Sequence, residues 1–165
     1  NIAELTSNQN FLHPTGYKIQ FDMYNYPNLE FFVQSVVHPS VSNPSVEVPY
    51  RRSTLHAAGD KLVYDEITFE IILDEDMHAY TEMHDWLKRL VEEQVQGQHR
   101  RGIKTPTTAD ISLTLLSSHN NTTKRFVYRD CLPTTLGSVT MTSNTTDVAF
   151  ITVPVSFTFS YFDIV

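Results

Sequence analysis

The chain has 165 residues, enough for one domain with a substantial core, since a chain of this length buries roughly 70% of its unfolded surface. Its residues are 41% hydrophobic and 19% charged, which excludes a disordered or low-complexity protein. Twelve Lys and Arg against nineteen Asp and Glu give a net charge of -7, which argues against a general binder of nucleic acid or anionic membranes.

The negative charge is unevenly distributed along the chain. Residues 1–102 carry eight bases and fifteen acids, whereas residues 103–165 carry four of each. The densest acidic segment is residues 65–76, which contains six acids and no base. The sequence has no run of about 18 apolar residues, so no membrane-spanning helix is predicted and a membrane is not an expected partner.

Alternation of apolar and polar residues predicts the first strands. Residues 17–23 alternate, and residues 31–37 form a second apolar strand that ends before Pro39. Pro27, within the polar residues 25–28, predicts a turn that joins these two strands as a hairpin. Residues 67–73 alternate again and predict a third strand.

A long proline-bearing segment, residues 39–64, separates the second and third predicted strands. Loops of about 25 residues are uncommon in compact domains, so we expect this segment to have a function. Arg51 and Arg52 lie within it, flanked by Tyr50 and Leu55. Aromatic and Arg residues are enriched at interfaces, so the composition allows either a docking surface or a solvated loop.

One helix is predicted over residues 77–95. Its apolar positions recur at helical spacing and include Met77, Tyr80, Met83, Leu87, Leu90 and Val91, with Trp86 beside them. The acids at 74–76 stand where a helix N-terminus favours negative charge. Gly97 stands where a helix ends.

The remaining predicted strands are residues 111–115, 126–128, a weaker one at 136–142, and a long alternating run at 151–161. Pro154 lies inside the last run and predicts a bulge or an unpaired edge. The sum is about seven strands and one helix. The predicted fold is mainly β, a β-sandwich or half-barrel in a single domain over residues 1–165.

Side chains that carry chemistry are sparse, so we predict no enzyme, no cofactor and no metal site. Cys131 is the only cysteine and is predicted to be a small buried residue. His78 and His84 are six residues apart, which is the wrong spacing for two ligands on one helical face. Asp74 and its two acidic neighbours lack the loop pattern of a calcium site, so helix capping is the preferred interpretation.

The order of short motifs resembles one known family. A polar arm is followed by strands, the sequence Ala58-Gly59-Asp60-Lys61, a strand running into Asp74-Glu75-Asp76, and a helix containing Asp85-Trp86. Over residues 11–162 this order is similar to the tail tube proteins of contractile-tailed, T-even-type bacteriophages. It is also similar to the tube-like domains of their baseplates.

The resemblance implies a structural subunit and not an enzyme. Tube proteins of this family form hexameric rings whose sheets join into one continuous barrel. The rings stack into a tube that passes DNA inside a contractile sheath. The implied partners are further copies of the chain, the sheath protein, and the baseplate and tail terminator proteins. DNA would pass without specific binding, and the protein would be assembled in the host cytoplasm and reside in the virion tail.

The resemblance also implies regional roles. Residues 1–15 would be an N-terminal arm, residues 39–64 an inter-subunit loop, and residues 77–95 an outer helix. The expected contact residues between subunits or rings are Tyr50, Arg51, Arg52, Ser53, Thr54, Leu55, Gly59, Asp60 and Lys61. The expected lumen-facing residues are Gln20, Asp22, Thr68, Glu70 and Thr158. The expected sheath-facing residues are Lys88, Arg89, Glu92, Arg100 and Arg101.

Other functions remain open at this point. A baseplate tube initiator, a tail terminator and the tube protein of a type VI secretion system share the expected fold. A carbohydrate-binding β-sandwich is a more distant alternative, in which Tyr24, Tyr26, Tyr50 and Trp86 would stack on sugars.

Overall fold

A computed structural model describes residues 10–21, 25–96, 107–144 and 149–165 of the chain, with the side chains of 93–96 left aside. The two helices are α1 (Pro27–Phe31) and α2 (His78–Gln96). The strands are β1 (Tyr17–Gln20), β2 (Val33–Val37), β3 (Val41–Ser42), β4 (Val46–Tyr50), β5 (Ser53–Ala57), β6 (Val63–Tyr64), β7 (Ile67–Ile72), β8 (Ala109–Leu116), β9 (Thr122–Leu136), β10 (Thr152–Thr158) and β11 (Tyr161–Ile164).

The main sheet is antiparallel and bends back on itself around the long strand β9. Its strand order is β1-β8-β9-β10-β7-β2, with β11 also paired to β9. Residues 122–131 of β9 pair with β8, and residues 132–136 pair with β10. We call β1, β8, β11 and the first part of β9 the back sheet. The front sheet is the second part of β9 with β10, β7 and β2.

The bend in β9 occurs at a bulge. Ala109 pairs with Cys131 but Ile111 pairs with Tyr128, so β9 holds an extra residue at this point. Asp130 has a φ of 55°, a conformation that few residues other than glycine adopt. Its backbone N–H donates to the Asp110 carboxylate at 3.2 Å, which holds the bulge in place.

The two sheets enclose one hydrophobic core. Alternate residues of β7, such as Phe69, and of β10, such as Phe157, are fully buried. They meet Phe21, Ile111 and Tyr128 on the back-sheet side, and the Phe21 and Phe69 rings lie 5.2 Å apart. The prediction of a mainly β sandwich or half-barrel with one main helix is therefore confirmed.

Helix α2 packs on this core through its buried face. Ala79, Met83 and Trp86 are fully buried. The Trp86 ring stacks on Tyr26 with centroids 4.2 Å apart, and its indole N–H donates to the carbonyl of Thr107 at 2.7 Å. The predicted placement of Val91 on the apolar face is wrong, because this side chain is 63% exposed.

The acidic cap predicted for α2 is confirmed for one of its three residues. The Asp74 carboxylate accepts a hydrogen bond from the backbone N–H of His78 at 2.9 Å. It satisfies a donor that the first turn of a helix leaves free.

The predicted hairpin between the first two strands is wrong. Pro27–Phe31 form the short helix α1, since Pro suits the first turn of a helix. The carboxylate of Glu82 on α2 accepts from the backbone N–H groups of Asn28 and Leu29, at 3.3 and 2.9 Å. Strand β1 pairs with β8 and β2 pairs with β7, so α1 places them at opposite edges of the main sheet.

The weak strand predicted at 136–142 is also wrong beyond Leu136, where β9 ends. Gly137 donates to the carbonyl of Pro154 at 2.8 Å, and a Cβ on Gly137 would lie 2.5 Å from the Pro154 ring. Pro154 is not on an edge, because β10 pairs on both sides. A bulge does occur in the pairing of β10 with β9, between Ser156 and Phe157.

Candidate assembly surfaces

The segment between β2 and β7, residues 38–66, projects from the sandwich and is not a plain loop. We call this segment the arm, as distinct from the predicted N-terminal arm. Strands β4 and β5 pair from Val46 with Ala57 to Tyr50 with Ser53, and every residue in both strands is exposed. An isolated two-stranded hairpin is marginally stable in water. The arm is therefore a candidate contact surface.

Exposed apolar side chains on the arm support its assignment as a contact surface. Val46, Val48, Tyr50 and Leu55 are each between 44% and 56% exposed, although apolar side chains of this size usually lie in a core. Clustered exposed apolar residues mark an interaction surface. Val46 and Val48 were missed in the sequence, where their alternation is the only signal and Pro49 interrupts it.

The root of the arm is anchored to the core. Strands β3 and β6 pair, and the Tyr64 ring lies 5.5 Å from Phe159 and 5.3 Å from Phe162. A Cβ on Gly59 would lie 2.1 Å from the carbonyl oxygen of Pro44, so only glycine fits where the arm closes. The Ala58-Gly59-Asp60-Lys61 motif thus has a steric basis in this fold.

The structure divides the predicted contact residues between two parts of the arm. Tyr50, Arg51, Arg52, Ser53, Thr54 and Leu55 form the hairpin tip and its flanks, with Arg51 at a φ of 50°. Gly59, Asp60 and Lys61 lie at the base of the arm, outside the hairpin. Their role in subunit contacts stays a prediction.

The outer face of the front sheet mixes hydroxyl-bearing side chains with apolar ones. Thr68 and Ser156 face each other across β7 and β10, with their hydroxyl oxygens 3.2 Å apart. The face comprises Ser35, Val37, Thr68, Glu70, Ile72, Leu132, Thr135, Thr152, Pro154, Ser156 and Thr158. Glu70 is the only charged residue in this set.

The predicted lumen-facing residues do not form one wall. Thr68, Glu70 and Thr158 share the outer face of the front sheet, but Gln20 pairs with Ser112 on the back sheet. Gln20 therefore lies apart from the other three, and its place in a lumen stays a prediction. Asp22 lies outside the described residues.

The outer face of the back sheet is strongly charged by comparison. The Arg129 guanidinium contacts the carboxylates of Asp110 at 2.9 Å and Asp163 at 3.4 Å. Arg125 donates to the Ser112 hydroxyl at 3.0 Å. The two outer faces thus differ: the back sheet carries ion pairs, whereas the front sheet carries hydroxyl and apolar side chains with a single acid.

The exposed face of α2 carries only part of the predicted sheath-facing set. Lys88 and Glu92 are exposed and lie 3.7 Å apart as an ion pair one helical turn apart. Arg89 is partly buried instead: its guanidinium donates to the Tyr26 hydroxyl at 2.6 Å and its Nε is buried, so its sheath-facing role stays a prediction. Arg100 and Arg101 lie outside the described residues.

The groups considered for chemistry occupy structural positions. Cys131 is fully buried, and burial raises the pKa of its thiol to about 12, so the reactive thiolate is scarce near neutral pH. Asp74, Asp76 and His78 place ligand atoms within 4.8 Å of one another, but Asp74 already caps α2. Trp86 and Tyr26 are buried in the core, so neither offers a face to a sugar.

Comparison with known proteins gives the family. The model of the phage tail tube protein family matches residues 4–165. The chain belongs to that family. A search of curated protein sequences finds no match. Within the described ranges, no helix is long and apolar enough to cross a membrane.

Solved structures of contractile injection systems share the fold of this tail tube protein. The tube-terminating cap of the anti-feeding prophage matches with a TM-score of 0.68 and 12% identity, over 98% of this chain and 95% of that chain. A sheath–tube complex of an extracellular contractile injection system, PVC, in its extended state matches with a TM-score of 0.66 and 12% identity. The match covers 94% of this chain and 92% of that chain.

A third structure, the baseplate of the anti-feeding prophage, matches with a TM-score of 0.64 and 11% identity, over 99% of this chain and 97% of that chain. At such low identity these likenesses show the fold alone. The family match adds a structural role of the tail tube type, located in the tail of a virion or related particle.

Proposed function

We propose that this chain is a tail tube subunit that forms hexameric rings, which stack into a DNA conduit inside a contractile sheath. The observation that carries the proposal is the front sheet. It has two open edges and an outer face that carries no Lys or Arg, and it lies within a chain of the tail tube family.

The open edges of the front sheet suit ring closure. One edge is β2 and the other is residues 132–136 of β9; among the described strands, none pairs with either edge. Strand directions alternate from β2 through β7 and β10 to β9. The β9 edge of one copy therefore meets the β2 edge of the next in antiparallel orientation. Ring closure removes exposed edges, which otherwise promote aggregation.

The front sheet is also the better wall for a DNA channel. Proteins grip the phosphate backbone with Lys and Arg, and the outer face of this sheet carries neither. In a six-fold ring, the copies of Glu70 would form a girdle of carboxylates that repels phosphates. Hydroxyl groups between them keep the wall wetted, so DNA passes without being held.

The other surfaces supply the remaining contacts of such a tube. The arm leaves one end of the front sheet, and in this arrangement it would reach a neighbouring ring. Lys88 and Glu92 lie on the exposed face of α2, which in this arrangement faces outward to the sheath. The two ends of the tube would meet baseplate and terminator proteins.

Electron microscopy of the purified chain tests the proposal directly. We expect six-fold rings and long hollow tubes, because a tube subunit must carry complementary surfaces at both ends. Discrete rings that never lengthen would favour the alternative, a baseplate tube initiator or tail terminator with the same fold. A chain that stays monomeric at high concentration would contradict both.

The charge of the wall gives a prediction for DNA transport. The change Glu70→Lys is expected to leave tubes intact, because Glu70 is not in the core, but to slow DNA release from virions by adding a cationic ring. Release is measured as the rate at which DNA becomes accessible to nuclease after ejection is triggered. Glu92→Lys on the exposed face of α2 is the matched control, and equal rates in the two variants would argue against a front-sheet lumen.

A further inference from the structure

Strand directions place two unlike surfaces at opposite ends of the subunit. At one end β2 finishes at Val37 and β7 begins at Ile67, and there the arm leaves the front sheet; we call this the arm end. At the other end β7 finishes at Ile72 and β10 begins at Thr152, and there the chain turns into α2; we call this the helix-start end. In a head-to-tail stack, the arm end of one subunit faces the helix-start end of the next.

The helix-start end presents apolar and acidic side chains together. Phe150 is 64% exposed and Ile151 is 38% exposed. The carbonyl of Ile151 accepts the backbone N–H of Leu73 at 2.9 Å, which fixes this apolar pair beside the acids that follow. Glu75 and Asp76 are exposed, and the charges within the segment 74–76 are all negative.

The tip of the arm has the opposite character. Arg51 and Arg52 form the turn of the hairpin, and within the described part of the chain neither guanidinium forms an ion pair. The Arg51 guanidinium lies 5.9 Å from the centre of the Tyr50 ring. Val48 and Leu55 pair across the strands and expose apolar surface next to this basic tip.

We propose that the arm tip of one copy docks on the helix-start end of a second copy in the next ring. Arg51 and Arg52 would face Glu75 and Asp76, and the apolar flank of the hairpin would cover Phe150 and Ile151. This inference rests on the proposed stacking of rings. It names the occupant of the exposed hairpin, because the two surfaces carry opposite charges, both expose apolar side chains, and they lie at opposite ends of the subunit. A head-to-tail contact of unlike surfaces leaves both ends of a stack open for further growth.

A charge-swap experiment tests the pairing. One variant carries R51E and R52E, and the other carries E75R and D76R; Asp74 is kept because it caps α2. Each variant alone places like charges in contact at every stacking interface, so we expect rings without tubes. An equal mixture of the two restores opposite charges if their rings alternate, so we expect the mixture to form tubes. Tube formation is followed by pelleting and by electron microscopy.

The outcomes separate this interface from the function on which it rests. Wild-type rings that never stack would overturn the stacking role and this interface with it. Wild-type tubes together with tubes from either variant alone would overturn the interface and leave the stacking role standing. Failure of the mixture to restore tubes, while both variants form rings, would also overturn it.

Two controls guard against a loss of folding. The ring size of each variant by gel filtration must equal that of the wild type, which shows that the front sheet still closes. Lys88→Glu, on the exposed face of α2, changes surface charge away from both ends and should leave tube formation unchanged.

Cross-linking gives a second readout. A variant that carries both R52C and E75C should form disulfides between chains when tubes are oxidised, and monomers should not. Cys131 is buried and does not compete.

Discussion

Removing the β4–β5 hairpin is expected to abolish tube growth while leaving the sandwich folded. The change replaces residues 46–57 by a Gly-Gly link, which is feasible because Val46 and Ala57 pair at the base of the hairpin. The hairpin residues are all exposed, and none belongs to the core. Folding therefore loses little, whereas ring stacking loses the surface that we assign to it.

The experiment measures both tube assembly and the thermal stability of the subunit. Pelleting and electron microscopy report tubes, and thermal unfolding of unassembled protein reports the sandwich. Ser45→Gly with Ala58→Gly in the intact chain is the matched control for the junction, and it should still form tubes. Normal tubes from the shortened chain would refute the role of the arm, whereas loss of the folded state would show that the hairpin stabilises the subunit itself.

Trp86→Ala is expected to destabilise the subunit more than any other single alanine substitution on α2. Truncating a buried aromatic residue costs about 3–5 kcal/mol, because both transfer energy and packing are lost. Trp86 is fully buried, stacks on Tyr26 and lies 5.4 Å from Phe157. Its removal also leaves the Thr107 carbonyl without its indole donor. At about 2–4 °C per kcal/mol for a domain of this size, Tm should fall by roughly 6–20 °C.

Urea unfolding in the hairpin-deleted background measures this effect without interference from tubes. Lys88→Ala, two residues away and exposed, is the control and should change the free energy of unfolding by less than about 0.5 kcal/mol. Trp86→Phe keeps most of the ring volume but not the N–H donor, so it should fall between the two. Equal stability of the Trp86→Ala and Lys88→Ala variants would contradict the packing described for α2.

Strong alternation made the core strands predictable. In β7 and β10 a buried residue occurs at every second position, so both the strand and its inner face follow from the sequence. Helix α2 was predictable in extent from its helical periodicity, although Val91 was assigned to the wrong face. Helix α1 was not predictable, because five residues give no period and Pro27 is as typical of a turn as of a helix start.

The candidate surfaces were harder to predict than the core. A period of two tells which residues share a face of one strand, but not which strands share a sheet. Gln20 and Thr68 are therefore equivalent by sequence pattern, although β1 lies in the back sheet and β7 in the front sheet. Arg89 seemed exposed because helical spacing does not reveal α1, whose Tyr26 neighbour takes its guanidinium.

Both open edges of the front sheet carry a bulge. In β2 the pairing with β7 shifts between Val33 and Ser35, and the carbonyl of the extra residue Gln34 already accepts the Tyr17 hydroxyl. In β9 the extra residue is Thr134, directly after Pro133, which has no N–H to donate. A strand arriving in the wrong register would meet twisted backbone and missing donors. In the proposed ring these irregular edges would pair best with each other, which would favour a closed ring of fixed size over open-ended fibres of subunits.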